Sequence, residues 1–305
     1  MPRLTTQQFN EVKELYNTGD YNLPALGKMY NISKEALNTR LTRSGIKVKN
    51  HSQAKRKYNV NENYFSVIDS EDKAYFLGLL YADGYIHIKT NSVNLSLNYK
   101  DKEVLQRLNN FIQDRPLQHI VDRKGVKNDM YRIVVNSSIM VNDLIKHGCY
   151  QAKTYSLQFP NFLSDELMRH FVRGHLDGDG CIHNSLKIPG VSFVGSQNYM
   201  LGFKDYLKSN LDIHLTTSQP ERYKYNITKS SIGGGKNVRK FLNWIYKDCT
   251  IFFERKQIRY LQLLEYFNIF SNKEKKSCKI ENCERKYHGN EYCQYHYNKL
   301  LNYPR

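Results

Sequence analysis

Two aspartates, Asp83 and Asp179, each stand next to last in a nine-residue pattern that the chain carries twice. The first copy, residues 76–84, reads FLGLLYADG; the second, residues 172–180, reads VRGHLDGDG. Both are apolar helical runs that stop at Asp-Gly. A carboxylate at a helix C-terminus faces the negative end of the helix dipole. Two such carboxylates brought together call for a cation. A second set of metal-binding residue types lies near the C-terminus, where Cys278, Cys283, Cys293 and His296 are separated by four, nine and two intervening residues. That is a zinc-ligand spacing: two thiolates on one turn, then a Cys-x-x-His hook opening a short helix. His288 is the rival for the fourth position. A segment this short cannot build a core, so zinc binding would also supply its folding energy. Cys149, Cys181 and Cys249 are scattered singly and read as small buried hydrophobes of a reducing compartment.

The elements that must position the aspartates follow from the same pattern. Its third residue is small in both copies (Gly78, Gly174), and so is its seventh (Ala82, Gly178). Small residues four apart share one helix face, so two such helices can pack with their backbones unusually close. The glycine after each aspartate is expected to supply a left-handed cap. Arg173 and His175 within the second copy are expected to face away from this seam, with His175 a minor candidate as a ligand.

The surroundings of the two copies also match. Strands are expected at 93–97 and 191–195, and helices at 101–112 and 199–211. A second strand pair follows in each half, 119–123 with 130–135 and 213–218 with 223–228. Closing helices are expected at 139–147 and 238–246, each followed by a cysteine and then a lysine, Lys153 or Lys256. The order helix, strands, helix, strands, helix thus occurs twice, which predicts a mixed α+β fold with internal pseudo-two-fold symmetry.

The charge points to a polyanionic partner. With 46 Lys+Arg against 29 Asp+Glu the formal net charge is +17, and 24 tyrosines are interleaved with the basic residues. This suits nucleic acid and few small-molecule enzymes. Apolar runs long enough to cross a bilayer are lacking, and so is a signal pattern, so a soluble cytoplasmic protein is expected. Residues 1–48 read as a helical unit. Thr6 caps a helix at 7–17, a second helix runs over 24–30 with Pro24 in its first turn, and Ser33 caps a third at 34–44. A short helix, a brief turn and a helix bearing Arg40 and Arg43 is the layout of a helix-turn-helix reader. Residues 49–64 read as a basic linker and 271–305 as the zinc-binding segment.

Over about residues 65–270 the chain resembles the LAGLIDADG homing endonucleases, in the single-chain form with two motifs. The resemblance implies two αββαββα halves, 65–160 and 161–270, packed through the motif helices, with each sheet part of a saddle over DNA. The eighth motif residue of that family is the metal-binding acid, which falls on Asp83 and Asp179. A basic residue late in each half assists at the scissile phosphates, which points to Lys153 and Lys256. Position six departs from the family pattern in the first copy, where Tyr81 replaces an acid, so the halves are non-identical. Phosphodiester cleavage needs a hydroxide-like nucleophile and relief of charge on two oxygens, which Mg²⁺ held by carboxylates supplies. The sheets would read the major groove, with Arg132, Val134 and Asn136 on one face of their strand and Arg222, Lys224 and Asn226 on one face of theirs. The function expected is a monomeric, site-specific endonuclease cutting both strands of DNA, of the intron-homing type. The alternative is a nucleic-acid-binding protein that keeps this fold without cleaving, as a transcription regulator or splicing factor.

Overall fold

The computed structural model describes residues 4–18, 20–48, 57–121, 129–183, 185–219, 226–271, 278–285, 287–289 and 291–301. The chain divides into two units, Met1–Asn59 and Val60–Arg305, each with its own apolar core.

Among the described residues the first unit has three helices, α1 (Thr6–Thr18), α2 (Leu23–Met29) and α3 (Lys34–Arg43), closed on Val12, Leu26, Leu37 and Leu41. Thr5 rather than Thr6 caps α1. Its hydroxyl accepts from the Gln8 amide at 3.2 Å while Gln8 Oε1 accepts from the Thr5 amide at 3.0 Å, a reciprocal capping box. Asn22 caps α2 and Ser33 caps α3. The α2–α3 turn is tight enough that a Cβ on Gly27 would stand 2.7 Å from the Ile32 carbonyl oxygen.

The second unit repeats one plan. The first half runs α4 (Glu71–Asp83), β1 (Tyr85–His87), β2 (Ser92–Asn98), α5 (Lys102–Ile112), β3 (Gln118–Ile120), β4 (Met130–Asn136) and α6 (Ser138–Lys146). The second runs α7 (Asp165–Asp179), β5 (Cys181–Ile182), β6 (Gly190–Ser196), α8 (Gln197–Leu211), β7 (Thr216–Ser218), β8 (Ile227–Gly233) and α9 (Gly235–Tyr246), followed by α10 (Glu254–Ser271). Serine opens α4, α6, α7 and α8, each hydroxyl accepting a first-turn amide. Both sheets are antiparallel and share one topology, β1-β2-β4-β3 and β5-β6-β8-β7. The fold is therefore α+β with two pseudo-symmetric halves, and α4 and α7 lie side by side at its centre.

Three expectations need correction here. Strand β8 spans Ile227–Gly233 and so runs past the expected end at 228, while 223–225 lie outside the described residues. A serine beyond the expected end fills a core position: Ser230 is fully buried and pairs in register with Phe193 of β6. A bulky ring on one strand takes a small neighbour on the next. The expected linker 49–64 is too long, because Val60 pairs with Gln113 and Tyr64 is buried in the first half; residues 49–56 lie outside the described ones. Of the three single cysteines only Cys149 is buried, while Cys181 is exposed.

A small pair of strands, β9 (Tyr287–Gly289) and β10 (Tyr292–Cys293), leads into α11 (Gln294–Leu301). No helix among the described residues is long and apolar enough to cross a membrane.

Candidate functional site

The helices α4 and α7 meet backbone to backbone. A Cβ on Gly78 would lie 2.0 Å from the Phe171 carbonyl oxygen, and one on Gly174 would lie 2.0 Å from that of Tyr75. One turn on, a Cβ on Gly178 would lie 2.4 Å from the Ala82 methyl and 2.9 Å from Asp83 Oδ2. Only glycine fits these positions, as the small-residue spacing implied. The glycines that end the helices fit for a different reason from the one expected. Gly84 (φ −72°, ψ 142°) and Gly180 (φ −87°, ψ 165°) are extended, not left-handed. They must be glycine because a Cβ would strike the last turn, 2.5 Å from the Leu80 carbonyl oxygen or 2.4 Å from Leu176 Cδ1.

This seam sets Asp83 and Asp179 at the same end of the helix pair, with both carboxylates reaching solvent. Protein packed on their inner side strips part of their hydration, and that desolvation pushes Asp83 up to about 6. The charge of Asp179 adds to the rise, while Lys256, Lys153 and Arg255 oppose it. Asp179 is raised by desolvation too, against the same two lysines. Both lysines lie near the aspartate-bearing ends of the two helices.

Their hydrogen bonds go to backbone. Lys153, on a short 3₁₀ turn, donates to the Gly84 carbonyl. Lys256, in the first turn of α10, is buried and donates to the carbonyls of Leu176, Asp177 (2.7 Å) and Gly180 (2.8 Å). It thereby binds carbonyls at the end of α7, sharing that of Leu176 with the Gly180 amide. Burial pushes its ammonium down to about 8, outweighing the attraction of Asp177.

Position six of the motif makes the seam asymmetric. Asp177 is wholly buried, and its Oδ2 accepts from Tyr75 of α4 at 2.7 Å and from the Phe253 amide at 2.8 Å. Tyr81 donates to the His147 carbonyl at 2.5 Å, and its ring stands edge-on to Phe171 of α7 at 4.9 Å. The residue just before each motif thus meets position six of the other, as a polar pair in one case and an aromatic pair in the other.

Arg173 does not face away from the seam as expected. It is fully buried, donates to the carbonyls of Ile245 and Ile251, and reaches Glu71 in the first turn of α4 at 2.6 Å. His175 is buried with its ring stacked on Tyr199, and burial pushes its imidazole down to about 3. Glu71 and Tyr75 precede the first motif and carried no signal of their own. The non-matching position six was the one hint that the seam is not symmetric.

The expected DNA-facing residues divide. In β4, Arg132 and Asn136 are exposed opposite buried Ile133 and Val135, and Arg132 Nε donates to Ser96 at 2.9 Å. Arg222 and Lys224 lie outside the described residues. On α3, Arg43 is exposed, whereas the Arg40 guanidinium donates twice to the Leu4 carbonyl at 3.2 Å and covers the Phe9 ring.

The C-terminal cluster assembles as its spacing predicted. One ligand atom from each of Cys278, Cys283, Cys293 and His296 lies within 4.8 Å of the others. Cys278 Sγ is 3.2 Å from His296 Nδ1, and Cys283 Sγ is 3.8 Å from Cys293 Sγ. Three thiols and an imidazole converging on one point are a donor set that fits zinc. The side chain of the rival, His288, lies outside the described ones.

No protein-family profile matches the chain, and no curated protein does. Solved structures similar to it are LAGLIDADG-fold proteins at low identity. Full-length DUF199/WhiA from Thermatoga maritima is 18% identical, with the likeness covering 67% of this chain and 64% of that one at a TM-score of 0.44. The I-SmaMI LAGLIDADG homing endonuclease bound to cleaved DNA is 13% identical over 68% of this chain and 91% of that one, TM-score 0.47. The I-LtrWI LAGLIDADG homing endonuclease bound to target DNA is 12% identical over 70% and 92%, TM-score 0.44.

Proposed function

We propose that this chain is a site-specific DNA endonuclease of the LAGLIDADG homing type that hydrolyses one phosphodiester bond in each strand. The observation that carries this reading is the seam. Glycine contacts at Gly78, Gly174 and Gly178 bring two solvent-open carboxylates to one end of a helix pair, with a lysine at each helix end. Hard carboxylate oxygens, set close enough for Asp179 to raise Asp83, fit a divalent ion such as Mg²⁺. Bound there, Mg²⁺ supplies an activated water and neutralises charge on the phosphodiester oxygens. The chain's own residues hold that site. Asp83 and Asp179 face the substrate, Lys256 fixes the end of α7, and Lys153 fixes the end of α4. Arg132 and Asn136, exposed on the sheet, are placed to touch the duplex, and the protein works as a monomer.

Cleavage of DNA carrying the insertion site tests this reading. Wild-type protein should cut in Mg²⁺ and not in EDTA, while Asp83→Asn and Asp179→Asn should each lose cutting of at least one strand. Full activity in both variants would overturn the assignment. A second reading, a DNA-binding protein that does not cleave, draws on one observation: both lysines are engaged with helix carbonyls. Under it, binding would be tight, indifferent to metal and without strand breaks.

A further inference from the structure

The geometry points to Tyr81 and Asp177 as positioning residues that fix the lysine-bearing segment of each half onto the aspartate-bearing helix. In the first half the chain leaves α6 through His147, whose carbonyl accepts the Tyr81 hydroxyl at 2.5 Å. Gly148 beside it is left-handed (φ +83°), and a Cβ there would stand 2.2 Å from the Tyr81 hydroxyl oxygen, so the site is built around that oxygen. The buried Cys149 thiol next donates to the Leu80 carbonyl at 3.6 Å. From this anchor the chain passes left-handed Ala152 (φ 58°) into the turn that presents Lys153 to the Gly84 carbonyl.

The second half reaches the same result with reversed polarity. Asp177 Oδ2 accepts the Phe253 amide, which tethers the residue leading into α10, and the Phe253 carbonyl accepts the Lys256 amide at 2.9 Å. Lys256 then turns back onto the end of α7. A hydroxyl donating to a carbonyl and a carboxylate accepting from an amide do one job at the same motif position. That accounts for a tyrosine standing where the pattern has an acid. It also gives Asp177 a role that its burial, away from solvent, would deny it as a metal ligand.

The protein alone, without DNA, tests this through the reactivity of its two lysines toward limiting acetylating reagent, read by peptide mass spectrometry. Removing one hydrogen bond of this kind weakens a held conformation by roughly two- to tenfold. Tyr81→Phe should raise acetylation of Lys153 by that factor and leave Lys256 unchanged. Asp177→Ala should do the reverse, and Asp177→Asn, which keeps an acceptor oxygen for the Phe253 amide, should restore most of the protection. Unchanged labelling in Tyr81→Phe, or a rise at both lysines together in any variant, overturns the inference.

A strand-resolved nicking assay extends the test and rests on the nuclease reading. Each variant should slow one strand only, and Tyr81→Phe added to Lys153→Met should slow cutting no further. Slowing of both strands alike, or a further loss in the double variant, counts against positioning. Wild-type protein that cuts no DNA overturns the nuclease reading, while the labelling still decides this inference.

Discussion

Arg40 and Lys256 are cations that the sequence assigns to DNA and that the fold holds on backbone carbonyls. The sequence gives charge and spacing; it does not say which cation lies beneath a chain end needing a donor. Arg40→Gln should destabilise the first unit by about 1–3 kcal/mol, since it strands a partly buried carbonyl. Thermal unfolding of residues 1–59 measures this. Arg43→Ala, at an exposed position, should leave stability alone and lower the salt slope of DNA binding by about one. At the aspartates the pH dependence has a definite sign. Asp83 is raised to about 6, so protons compete with a divalent ion below that value. Metal affinity should climb roughly tenfold per unit as pH rises toward 6 and then level off. Titration calorimetry with Mg²⁺ should show this in wild type, and a flat profile would break the link between Asp83 and the ion. At the other end of the chain, Cys278→Ser or Cys293→Ser should lose a single bound zinc, as read by metal analysis of reduced protein.

At the scale of elements, the motif helices were the most legible part of the chain. Their small residues, Gly78 with Ala82 and Gly174 with Gly178, stand four apart, and close backbone contact is the direct consequence of that spacing. Gly78→Ala and Gly174→Ala should each cost about 3 kcal/mol or more, because the obstructing atom is a backbone oxygen that cannot turn aside. Urea unfolding measures both, and Ala82→Gly on the same face should cost only about 1 kcal/mol. What stayed hidden depends on packing between distant segments. Strand β8 was expected to stop at 228, and the Phe193 ring opposite Ser230 explains why it runs on. Gly84 and Gly180 were legible as helix ends, but their need for glycine comes from the turn behind them and not from a left-handed angle. The Arg173–Glu71 pair joins residues 102 apart in sequence and left no periodic trace.

For the whole molecule, a net charge of +17 makes affinity for DNA a function of salt. With six to ten phosphate contacts it should fall by roughly 10³–10⁵ between 50 and 200 mM salt, and a much shallower slope would show that the charge is not applied to phosphates. The seam has a further consequence for how the halves find each other. Tyr75 meets Asp177 and Glu71 meets Arg173, while Phe171 meets Tyr81. Two copies of the first half would set Tyr75 against Tyr81 and leave Glu71 without its guanidinium. Two copies of the second would strand a buried Arg173 and put Phe171 against Asp177, a loss of about 3–5 kcal/mol for each broken buried pair. Expressed as separate polypeptides, the halves should therefore assemble one to one and reject their own kind. The helix pair acts as a lock whose two sides are cut differently, and the single chain keeps together partners already specified for each other.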